Sequence, residues 1–488
     1  MRDLTSGDAA ALLALALAAC AQPSPSPPPV SATTATPSAR AAAPDGDVDA
    51  SVAGDPADAR AEATASGLPA QLDPDGNDDP SDPGSGEIPA EAHFERVGRA
   101  PLSLRRICDL RPFADALYAA HANDPLGTDG ATITRYQPTV EAGKPAFTVA
   151  FDWNRPGEPT EGGGAGQGFL RVHAIGGRLF VPDADPPHDG FGISEHGTEG
   201  YVFVSDPSGR FARPVGPHFR PPGPPDPDGG AGASVLPRAY HDLDAIRFRG
   251  RLYASTGAVP PKERAWTGPS PGALHVANAS WSRWTYEVDY PFPWQNGVWR
   301  LGFLVRFKDR LFAGIQDYDG REPNDYVAFD PPAGSTVIDH RDAHPARITS
   351  RGAALTLRWY ADGGRLYWIA LERDGNAVLR VSTDGDTWRA IDLPAEGGRP
   401  TDITRFRGCL VVLTERRLYR LDGESAVTVA KMSEKKPRFE LSDSFCAAPL
   451  AVYRNELYAG GQRDGALYRL TGGPEPPAAG APSPKRPQ

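Results

Sequence analysis

The sequence predicts an all-β fold, a β-propeller of about seven blades that follows a disordered N-terminal tether. Three observations support this prediction. A short hairpin motif recurs seven times, successive copies lie 44 to 73 residues apart, and no long segment shows the 3.6-residue periodicity of an amphipathic helix. Gly and Pro, 53 and 52 of the 488 residues, supply many turns but stay below the level typical of wholesale disorder.

The recurring motif is a turn, a Leu and then an aromatic residue, as in RFRGRLYASTG (247–257). Seven Leu residues serve as anchors of the alignment: Leu117, Leu179, Leu252, Leu311, Leu366, Leu410 and Leu457. Two residues before each anchor stands Gly, Asp or Asn, which tight turns favour. An apolar run, a tight turn and an aromatic-rich run predict a β-hairpin. In the quoted copy, Arg247, Arg249 and Arg251 are expected to point outward.

Several copies continue into a further strand, for example AVLRVSTD (377–384), so each unit is expected to hold three or four strands. Residues 94–472 divided by seven give about 54 residues per unit. A unit this small cannot bury both faces of its sheet alone, so the units are expected to stack as blades around an axis. The last unit stops near Thr471 at its third strand, and residues 94–104 are expected to complete it and close the ring.

The N-terminal residues predict an export signal. Residues 9–19 form an apolar run of 11 residues, which is too short to span a membrane but suits a signal peptide. The sequence LAAC (17–20) resembles a bacterial lipobox, in which the Cys is acylated and becomes the mature N-terminus. The resemblance implies a signal peptide over residues 1–20, lipidation of Cys20, and a protein anchored by its lipid to the bacterial cell envelope, at the outer membrane of a diderm bacterium.

Residues 21–93 form an acidic segment rich in Pro, Ala and Asp. The segment holds 13 Asp or Glu, two Arg and no Phe, Trp or Tyr, a net charge of −11. It cannot bury enough apolar surface to offset chain entropy, so a disordered linker is expected here and a disordered tail over residues 473–488. Residues 94–488 have a net charge of +1 and lack the basic excess of a nucleic-acid binder. We therefore expect no nucleic-acid partner, and a monomer.

One turn carries a family resemblance. In VSTDGDTW (381–388), Ser382, Asp384, Gly385 and Trp388 match the compact Asp-box of sialidase-type propellers. The remaining units are similar to kelch-type or other propeller repeats. The resemblance implies the propeller fold over residues 94–472, with the Asp-box as a structural turn between the third and fourth strands of a blade. It implies no catalytic residues, because the Arg-Ile-Pro segment with which sialidases begin does not occur here.

Candidate binding residues lie in the long loops of the first four units. The loops that lead into the innermost strands, and those that join second to third strands, share one end of a propeller, and long loops on a rigid scaffold concentrate binding residues. The candidates are Asp183, Asp185, His188, His241, Asp242, Asp317 and Asp319. His241 is the leading candidate, because at the mouth of an innermost strand its side chain is expected to face the channel.

These histidines and carboxylates suit metal binding or acid–base chemistry, with solvated loop charge as the alternative. Their spacing matches no specific metal motif, so no metal or cofactor is predicted. Tyr290, Phe292, Trp294 and Trp299 on one entry loop are candidates for stacking on a sugar ring or for packing over the junction of two blades.

The cysteines suggest one disulfide. Cys108 and Cys446 stand in the first and last units, which become neighbours when the ring closes, so they form a candidate disulfide in an exported protein. Cys409 falls within a strand and is expected to stay reduced and buried.

Two functions are compatible with these features. The first is a lipid-anchored binding module that holds a glycan or a protein partner at its long-loop face. The second is a sialidase-like or other glycoside hydrolase, or a polysaccharide lyase, with its active site at the same face. Propellers host both classes. Binding is favoured, because the sequence contains no recognisable acid–base or nucleophile arrangement.

Overall fold

The computed structural model describes residues 86–89, 91–101, 104–122, 131–138, 146–153, 168–184, 199–211, 233–258, 270–281, 283–318, 320–432, 439–441 and 446–472. These residues form seven four-stranded antiparallel sheets arranged in a ring, which confirms the seven-bladed β-propeller. The helical elements of the described ranges are two single 3₁₀ turns, His340–Asp342 and Ala395–Gly397.

The blades follow one another along the chain, and each begins with its innermost strand and proceeds outward. Blade 1 comprises β2 (Arg106–Phe113), β3 (Ala116–Ala122), β4 (Thr132–Tyr136) and β5 (Phe147–Asp152). Blade 2 comprises β6 (His173–Ile175), β7 (Arg178–Pro182), β8 (Glu199–Val204) and β9 (Ala233–Pro237). Blade 3 comprises β10 (Ala239–Phe248), β11 (Arg251–Ala258), β12 (Gly272–Ala277) and β13 (Trp284–Tyr290).

The remaining four blades have the same order. Blade 4 comprises β14 (Trp299–Phe307), β15 (Arg310–Asp317), β16 (Tyr326–Phe329) and β17 (Ala343–Ala346). Blade 5 comprises β18 (Leu355–Asp362), β19 (Arg365–Leu371), β20 (Ala377–Ser382) and β21 (Arg389–Ala390). Blade 6 comprises β22 (Pro400–Phe406), β23 (Cys409–Thr414), β24 (Arg417–Asp422) and β25 (Ser425–Lys431). Blade 7 comprises β26 (Leu450–Tyr453), β27 (Glu456–Gly460), β28 (Ala466–Thr471) and β1 (His93–Arg99).

Strand β1 closes the ring. It pairs antiparallel with β28, from His93 opposite Thr471 to Arg99 opposite Ala466. Blade 7 therefore takes three strands from the end of the described chain and its outermost strand from the beginning, as the sequence predicted. No blade is left with an unfinished sheet, which would expose unpaired N–H and C=O groups.

A disulfide crosses the same seam nearer the axis. Cys108 on β2 is bonded to Cys446, which precedes β26, and their Cα atoms are 4.7 Å apart. This is the pair that the sequence places in neighbouring blades, 338 positions apart along the chain. Beside it, the Gln462 side-chain amide donates to the Ile107 carbonyl oxygen at 2.6 Å. The first and last blades are thus joined at their inner as well as their outer edges.

The turns between first and second strands explain the polar position before each anchor. In six of the seven blades both central residues of this turn have positive φ: Gly176 with Gly177, Arg249 with Gly250, Lys308 with Asp309, Gly363 with Gly364, Arg407 with Gly408, and Arg454 with Asn455. This is the type I′ turn, whose twist matches that of the two strands it joins. Gly, Asn and Asp tolerate positive φ best, so they recur two residues before the anchors.

The anchors and the residues after them form the apolar core between blades. Six of the seven anchor Leu side chains are buried and Leu410 is half-buried, while the residue after each anchor is at most 2 % exposed. Clusters of buried side chains join neighbouring blades, as in the cluster that contains Tyr253 of blade 3 with Leu301 and Ile315 of blade 4. Burying one such side chain contributes about 1.5–3 kcal/mol, so each blade stabilises its neighbours.

Two arginines of the quoted motif do not point outward as expected. The Arg249 guanidinium donates to the Ser335 carbonyl oxygen at 2.9 Å. Arg251 donates to the Glu287 carboxylate at 2.8 Å and to the Thr336 carbonyl oxygen at 3.0 Å. A guanidinium offers five N–H donors, so it can serve several acceptors at once. Both side chains hold the connection between β16 and β17 against blade 3.

The turn between β20 and β21 is held by side-chain to backbone hydrogen bonds. The Asp384 carboxylate accepts the Thr387 N–H at 2.7 Å, and the Ser382 hydroxyl donates to Asp384 at 2.9 Å. The backbone bond from Thr387 is the largest of the effects that hold the pKa of Asp384 well below its ordinary value. Trp388 packs back over the sheet, and its indole N–H donates to the Tyr326 hydroxyl of blade 4 at 2.9 Å. The turn therefore ties blade 5 to blade 4.

Strand direction defines two ends of the propeller. The innermost strands begin at one end, which we call the entry face, together with the connections from second to third strands. The innermost strands finish at the other end, the turn face, which carries the seven turns before the anchors. Among the described residues, no helix has the length and apolar character needed to cross a bilayer.

We predict that replacing both Cys108 and Cys446 by Ser lowers the free energy of unfolding by about 2–4 kcal/mol, because the bridge restricts the unfolded chain. Urea unfolding of the oxidised wild type and of the double variant measures the difference. Cys409→Ser is the matched control, since Cys409 is a free, half-exposed thiol in blade 6 rather than a buried one. Equal unfolding midpoints for the wild type and the double variant would show that β1 alone secures the seam.

Candidate functional site

Asp183 and Asp242 lie side by side at the junction of blades 2 and 3. The Asp242 N–H donates to the Asp183 carbonyl oxygen at 3.1 Å, and both side chains are fully buried. The Asp242 carboxylate lies directly over Gly200 of β8, where a Cβ would stand 2.2 Å from Oδ2. Because only glycine at position 200 leaves room for this carboxylate, the packing of blade 2 against Asp242 depends on Gly200.

Burial raises the pKa of Asp242 well above its ordinary value, and the nearby charge of Asp183 raises it further. The N–H of Tyr201 acts in the opposite direction but does not cancel these effects. Removing a carboxylate from water next to a like charge favours its neutral form. The pair is therefore an acid with a raised pKa beside a second carboxyl group, and both are shut away from solvent.

His241 links blades 2, 3 and 4. Its Nδ1 lies 2.7 Å from the Ala184 carbonyl oxygen, and its Nε2 meets the Arg300 guanidinium. A guanidinium can only donate, so Nε2 accepts and the ring proton sits on Nδ1, where it donates to Ala184. The Arg300 guanidinium in turn lies over the Tyr318 ring, 4.4 Å from its centroid. His241 is 7 % exposed, so it stands at the mouth of β10 as predicted but between blades rather than on an open channel wall.

Asp317 organises the loop between β15 and β16. Its carboxylate accepts the Glu322 N–H at 2.6 Å. Glu322 is itself buried, and its carboxylate accepts from the Tyr290 hydroxyl at 3.0 Å and from the Asn324 amide at 2.6 Å. Asp317 precedes Tyr318, so this loop meets His241 through Arg300. The role of the Asp317 carboxylate in these contacts is to hold the loop backbone.

The structure therefore brings Asp183, His241 and Asp242 together at one junction and connects Asp317 to them through Tyr318. The candidates Asp185, His188 and Asp319 lie outside the described residues, as does Cys20. Within the described ranges, no group of three or more His, Cys, Asp or Glu side chains is arranged to hold a metal ion.

A ring of residues around the axis was missed by the sequence alignment. It lies eight residues before the anchors, a position that we name the axial ring: Asp109, Arg171, Asp244, Phe303, Arg358, Asp402 and Pro449. In five of the seven innermost strands the pairing register shifts at or just before this position. Such β-bulges re-aim a side chain, here toward the axis.

The three acids of the axial ring bond to the next blade. Asp109, Asp244 and Asp402 accept the backbone N–H of Val172, Leu304 and Leu450 at 2.9, 2.6 and 2.6 Å. Each donor belongs to the blade that follows that of its acceptor. The same hydrogen bond therefore occurs three times in the axial ring. In each case a backbone N–H at the innermost part of one blade donates to the axial acid of the preceding blade.

The two arginines of the axial ring cross the axis. Arg171 of blade 2 donates to the Leu357 carbonyl oxygen of blade 5 at 2.8 Å, and its guanidinium carbon lies 3.5 Å from the centroid of the Phe303 ring of blade 4. Burial lowers the pKa of Arg171 to about 9, and the positive charge of Arg358 contributes to the decrease. These contacts join blades that are not neighbours, so side chains fill the centre of the propeller at the level of the axial ring.

Arg358 of blade 5 is shared between two acids. Its Nη1 lies 3.3 Å from Asp109 Oδ1, and its Nε lies 3.3 Å from Asp402 Oδ1. Burial raises the pKa of both acids. At Asp109 the charges of Arg358 and Arg171 outweigh burial and bring the pKa below its ordinary value, whereas at Asp402 burial prevails and the pKa is raised. Between these ring residues and the turn face lies a cavity of about 130 Å³.

The signal for the axial ring is present in the sequence, one position beyond the columns that define the hairpins. Position eight before the anchors is charged in five of the seven units, although these five residues are buried in or just before an innermost strand. A charge that recurs at a buried position needs a partner, so this column identifies the ion pairs at the axis.

An aromatic surface lies on the entry-face connection between β13 and β14. Phe292 is 57 % exposed, and its ring lies parallel to that of His340 with centroids 3.8 Å apart. The buried Asp289 carboxylate accepts from His340 Nε2 at 2.8 Å and from the Trp294 indole N–H at 2.9 Å. We call Phe292, Trp294 and His340 the aromatic platform.

The two other aromatic candidates stand at the ends of the strands that flank this connection and are used in packing. Tyr290 and Trp299 are buried, at 8 % and 1 % exposure, within the core of blades 3 and 4. The sequence offered sugar stacking and junction packing as alternatives for these four aromatic residues. Packing accounts for Tyr290 and Trp299, whereas Phe292 and Trp294 remain accessible.

No family model matches the chain, and no curated protein matches it. Among solved structures, two crystal structures of the extracellular domain of BT4673 from B. thetaiotaomicron are 9% identical to it, with TM-scores of 0.44 and 0.43. Raptor from Chaetomium thermophilum is 12% identical, with a TM-score of 0.46. The matches cover 78–79% of this chain but 40%, 43% and 30% of those chains, so this chain spans less than half of their length. The similarity concerns the fold alone.

We predict that Asp242→Asn stabilises the protein increasingly as pH rises. The pKa of Asp242 in the folded protein lies above its ordinary value of about 4, so the free energy of unfolding of the wild type falls as pH rises from about 4 through the raised pKa. The decrease is at most about 1.4 kcal/mol per pH unit. Asn cannot ionise, so the difference in free energy of unfolding between variant and wild type grows with pH. Urea unfolding at pH 4, 5.5 and 7 measures it. The exposed Asp330 gives a matched control in Asp330→Asn, and a pH-independent difference at Asp242 would contradict the raised pKa.

We predict that Arg358→Leu lowers the free energy of unfolding by about 3–5 kcal/mol, because it removes the cation that two buried carboxyl groups share. Arg420→Leu is the control: it removes an exposed pair with Asp422, which water and salt screen, so a much smaller loss is expected. Combining Arg358→Leu with Asp109→Asn and Asp402→Asn should restore part of the stability. A loss at Arg358 no larger than that at Arg420 would refute a stabilising role of the axial ion pairs.

Proposed function

We propose that the protein is a binding module that holds a glycan at its entry face, with the aromatic platform as the contact surface. The observation that supports this is the exposed Phe292 ring, which lies parallel on His340. The exposed face of an aromatic ring stacks on the apolar face of a sugar ring. His340 is itself bonded to buried Asp289, so the surface is held in place before a ligand arrives, which lowers the entropy lost on binding.

The neighbours of the platform fit this role. Gln295 and Asn296 follow Trp294 and are exposed. Side-chain amides both donate and accept hydrogen bonds, as recognition of sugar hydroxyl groups requires. The combination of an apolar surface and a few polar groups is typical of ligand sites.

A protein partner is the other ligand compatible with this surface. Val337, three residues before His340, is 55 % exposed and would add apolar area for a larger partner. In either case, lipidation at Cys20 would hold the module at the bacterial cell envelope, where polysaccharides and surface proteins are its neighbours.

Binding is favoured over hydrolysis or polysaccharide lysis by the burial of the acidic pair. Asp183 and Asp242 are the adjacent carboxyl groups near the entry face, and one has a raised pKa, as a general acid needs. A general acid must also come within hydrogen-bond reach of the atom that it protonates. Both carboxyl groups are fully buried, which does not suit contact with a polysaccharide.

We predict that Phe292→Ala weakens binding to an oligosaccharide selected from an immobilised array about tenfold, the equivalent of roughly 1.4 kcal/mol of lost stacking. Binding is measured by calorimetry on the full chain, and reducing-end release on the same glycan is measured in parallel. Val427→Ala, which truncates an exposed apolar side chain on blade 6, should leave affinity unchanged. Retention of full affinity by Phe292→Ala would refute the platform, and steady release of reducing ends would favour the hydrolase.

A further inference from the structure

The seven hairpin turns of the turn face are richer in basic residues than the folded chain as a whole, whereas the connections from third to fourth strands at the same end bring carboxylates such as Asp384 and Asp386. The five residues before each anchor contain 11 basic and four acidic residues, a net charge of +7, whereas residues 94–488 as a whole have a net charge of +1. We call these basic residues the turn ring: Arg178, Arg247, Arg249, Arg251, Arg306, Lys308, Arg310, Arg365, Arg405, Arg407 and Arg454. Ten of the eleven belong to blades 3 to 7.

Part of this charge is neutralised by carboxylates. Four arginines form ion pairs with acids of the same or an adjacent blade: Arg249, Arg251, Arg310 and Arg405. Four other members of the turn ring are outside these ion pairs. Arg407 and Arg178 donate to backbone carbonyl oxygens, and Lys308 and Arg365 are exposed. The turn face therefore presents cationic groups that are available to an anionic ligand.

A groove on this face offers room for a chain segment. It lies between the turns of blades 4 and 5 and encloses about 430 Å³. Lys308 and Arg306 line it together with the Gly363 and Gly364 backbone, and its two carboxylates, Asp309 and Asp362, are paired with Arg249 and Arg405. The two glycines add no side chains to its wall. Lys308 is exposed at the edge of the groove.

The N-terminal part of the chain reaches the propeller from this same face. Strand β1 starts at His93 opposite Thr471, which is the turn-face end of β28. Just before it, Ile88 packs against the core of blades 6 and 7, and Arg407 of the turn ring donates to the Glu87 carbonyl oxygen. The described chain thus begins at Gly86 next to the turns of blades 6 and 7.

The residues immediately before Gly86 have the opposite charge. Between residues 73 and 82 there are five Asp and no Lys or Arg: Asp73, Asp75, Asp78, Asp79 and Asp82. An extended chain covers about 3.3–3.6 Å per residue, so this run starts about 14 Å from Gly86 and can extend to about 45 Å from it. It can therefore reach the turns of neighbouring blades without leaving the surface.

We propose that residues 73–85 of this chain dock on the turn ring, so that the chain's own acidic segment lies against the basic hairpin turns of the propeller. Single exposed ion pairs contribute only about 0.2–1 kcal/mol. Several pairs act together here, and the covalent connection at Gly86 supplies a high effective concentration. Binding of this kind is weakened by salt, because the Debye length falls to about 3 Å at 1 M. The entry face is left open to its ligand.

Carbodiimide cross-linking of the full chain tests the proposal, because it joins a carboxylate to a lysine only when they touch. Lys308 reports on the turn face, and Lys431, which is also exposed, reports on the entry-face end of blade 6. Reaction with an acetylating reagent first checks that both lysines are equally reactive. Mass spectrometry should find residues 73–82 linked to Lys308 at least about tenfold more often than to Lys431, and adding 1 M NaCl should remove this preference.

Charge variants supply the second measurement. Arg178→Glu combined with Arg365→Glu should reduce the Lys308 cross-link about tenfold without touching either partner. Arg351→Glu, at an exposed arginine before β18 on the entry face, is the matched control and should leave the yield unchanged. The variant Arg365→Lys adds a reporter that should also cross-link to residues 73–82.

Several results would overturn the proposal. Equal yields at Lys308 and Lys431, or yields that ignore salt, would mean that the acidic segment has no preferred surface. Links between ¹⁴N- and ¹⁵N-labelled copies would assign the turn ring to a second copy of the chain. Absence of Lys308 links, together with salt-sensitive retention on a sulfated polysaccharide that Arg178→Glu/Arg365→Glu abolishes, would assign it to an external polyanion.

Discussion

The pairing of β1 with β28 is the constraint on which the rest of the structure depends. A four-stranded blade buries its two faces only against two neighbours, so seven blades are stable only as a closed ring. The seam between blades 7 and 1 is closed twice, by β1 at the outer edge and by the Cys108–Cys446 bridge near the axis. Because the two closures draw on opposite ends of the described chain, the ring can be complete only when the whole of that chain has folded.

Closure of the ring also determines which side chains meet at the propeller axis. Once the innermost strands face one another, a side chain that a bulge turns inward meets partners from several blades, as Arg358 meets Asp109 and Asp402. Charges buried in this way are retained only when their partners are well placed, because desolvation opposes them. The axis of this propeller is thus occupied by ion pairs and the Phe303 ring. Ligand contact is therefore more readily made at the two faces than through the centre.

The two faces differ in chemistry because the chain uses them differently. The turn face is built from tight, repeated hairpins, and the residues that fit beside a type I′ turn there are largely basic. The entry face carries connections of unequal length, among them the one that exposes Phe292 over His340. Repetition places basic residues at recurring positions of one face, whereas irregular loops produce a local site. This division favours electrostatic docking at one face and specific recognition at the other.

The sequence by itself determined the seven blades, the strand that completes blade 7 and the adjacency of Cys108 and Cys446, because these follow from a local pattern and from order along the chain. It did not determine what surrounds His241. A residue at the mouth of an innermost strand can face the channel or a neighbouring blade, and a register shift within β10 together with Ala184 and Arg300 decided the outcome. The same holds for Arg358, whose partner Asp109 lies 249 residues away, and for Phe292, which is exposed although Trp299 at the start of β14 is buried. Turns and strands depend on neighbours in the chain, whereas the environment of a side chain depends on strands that meet only when the ring has closed.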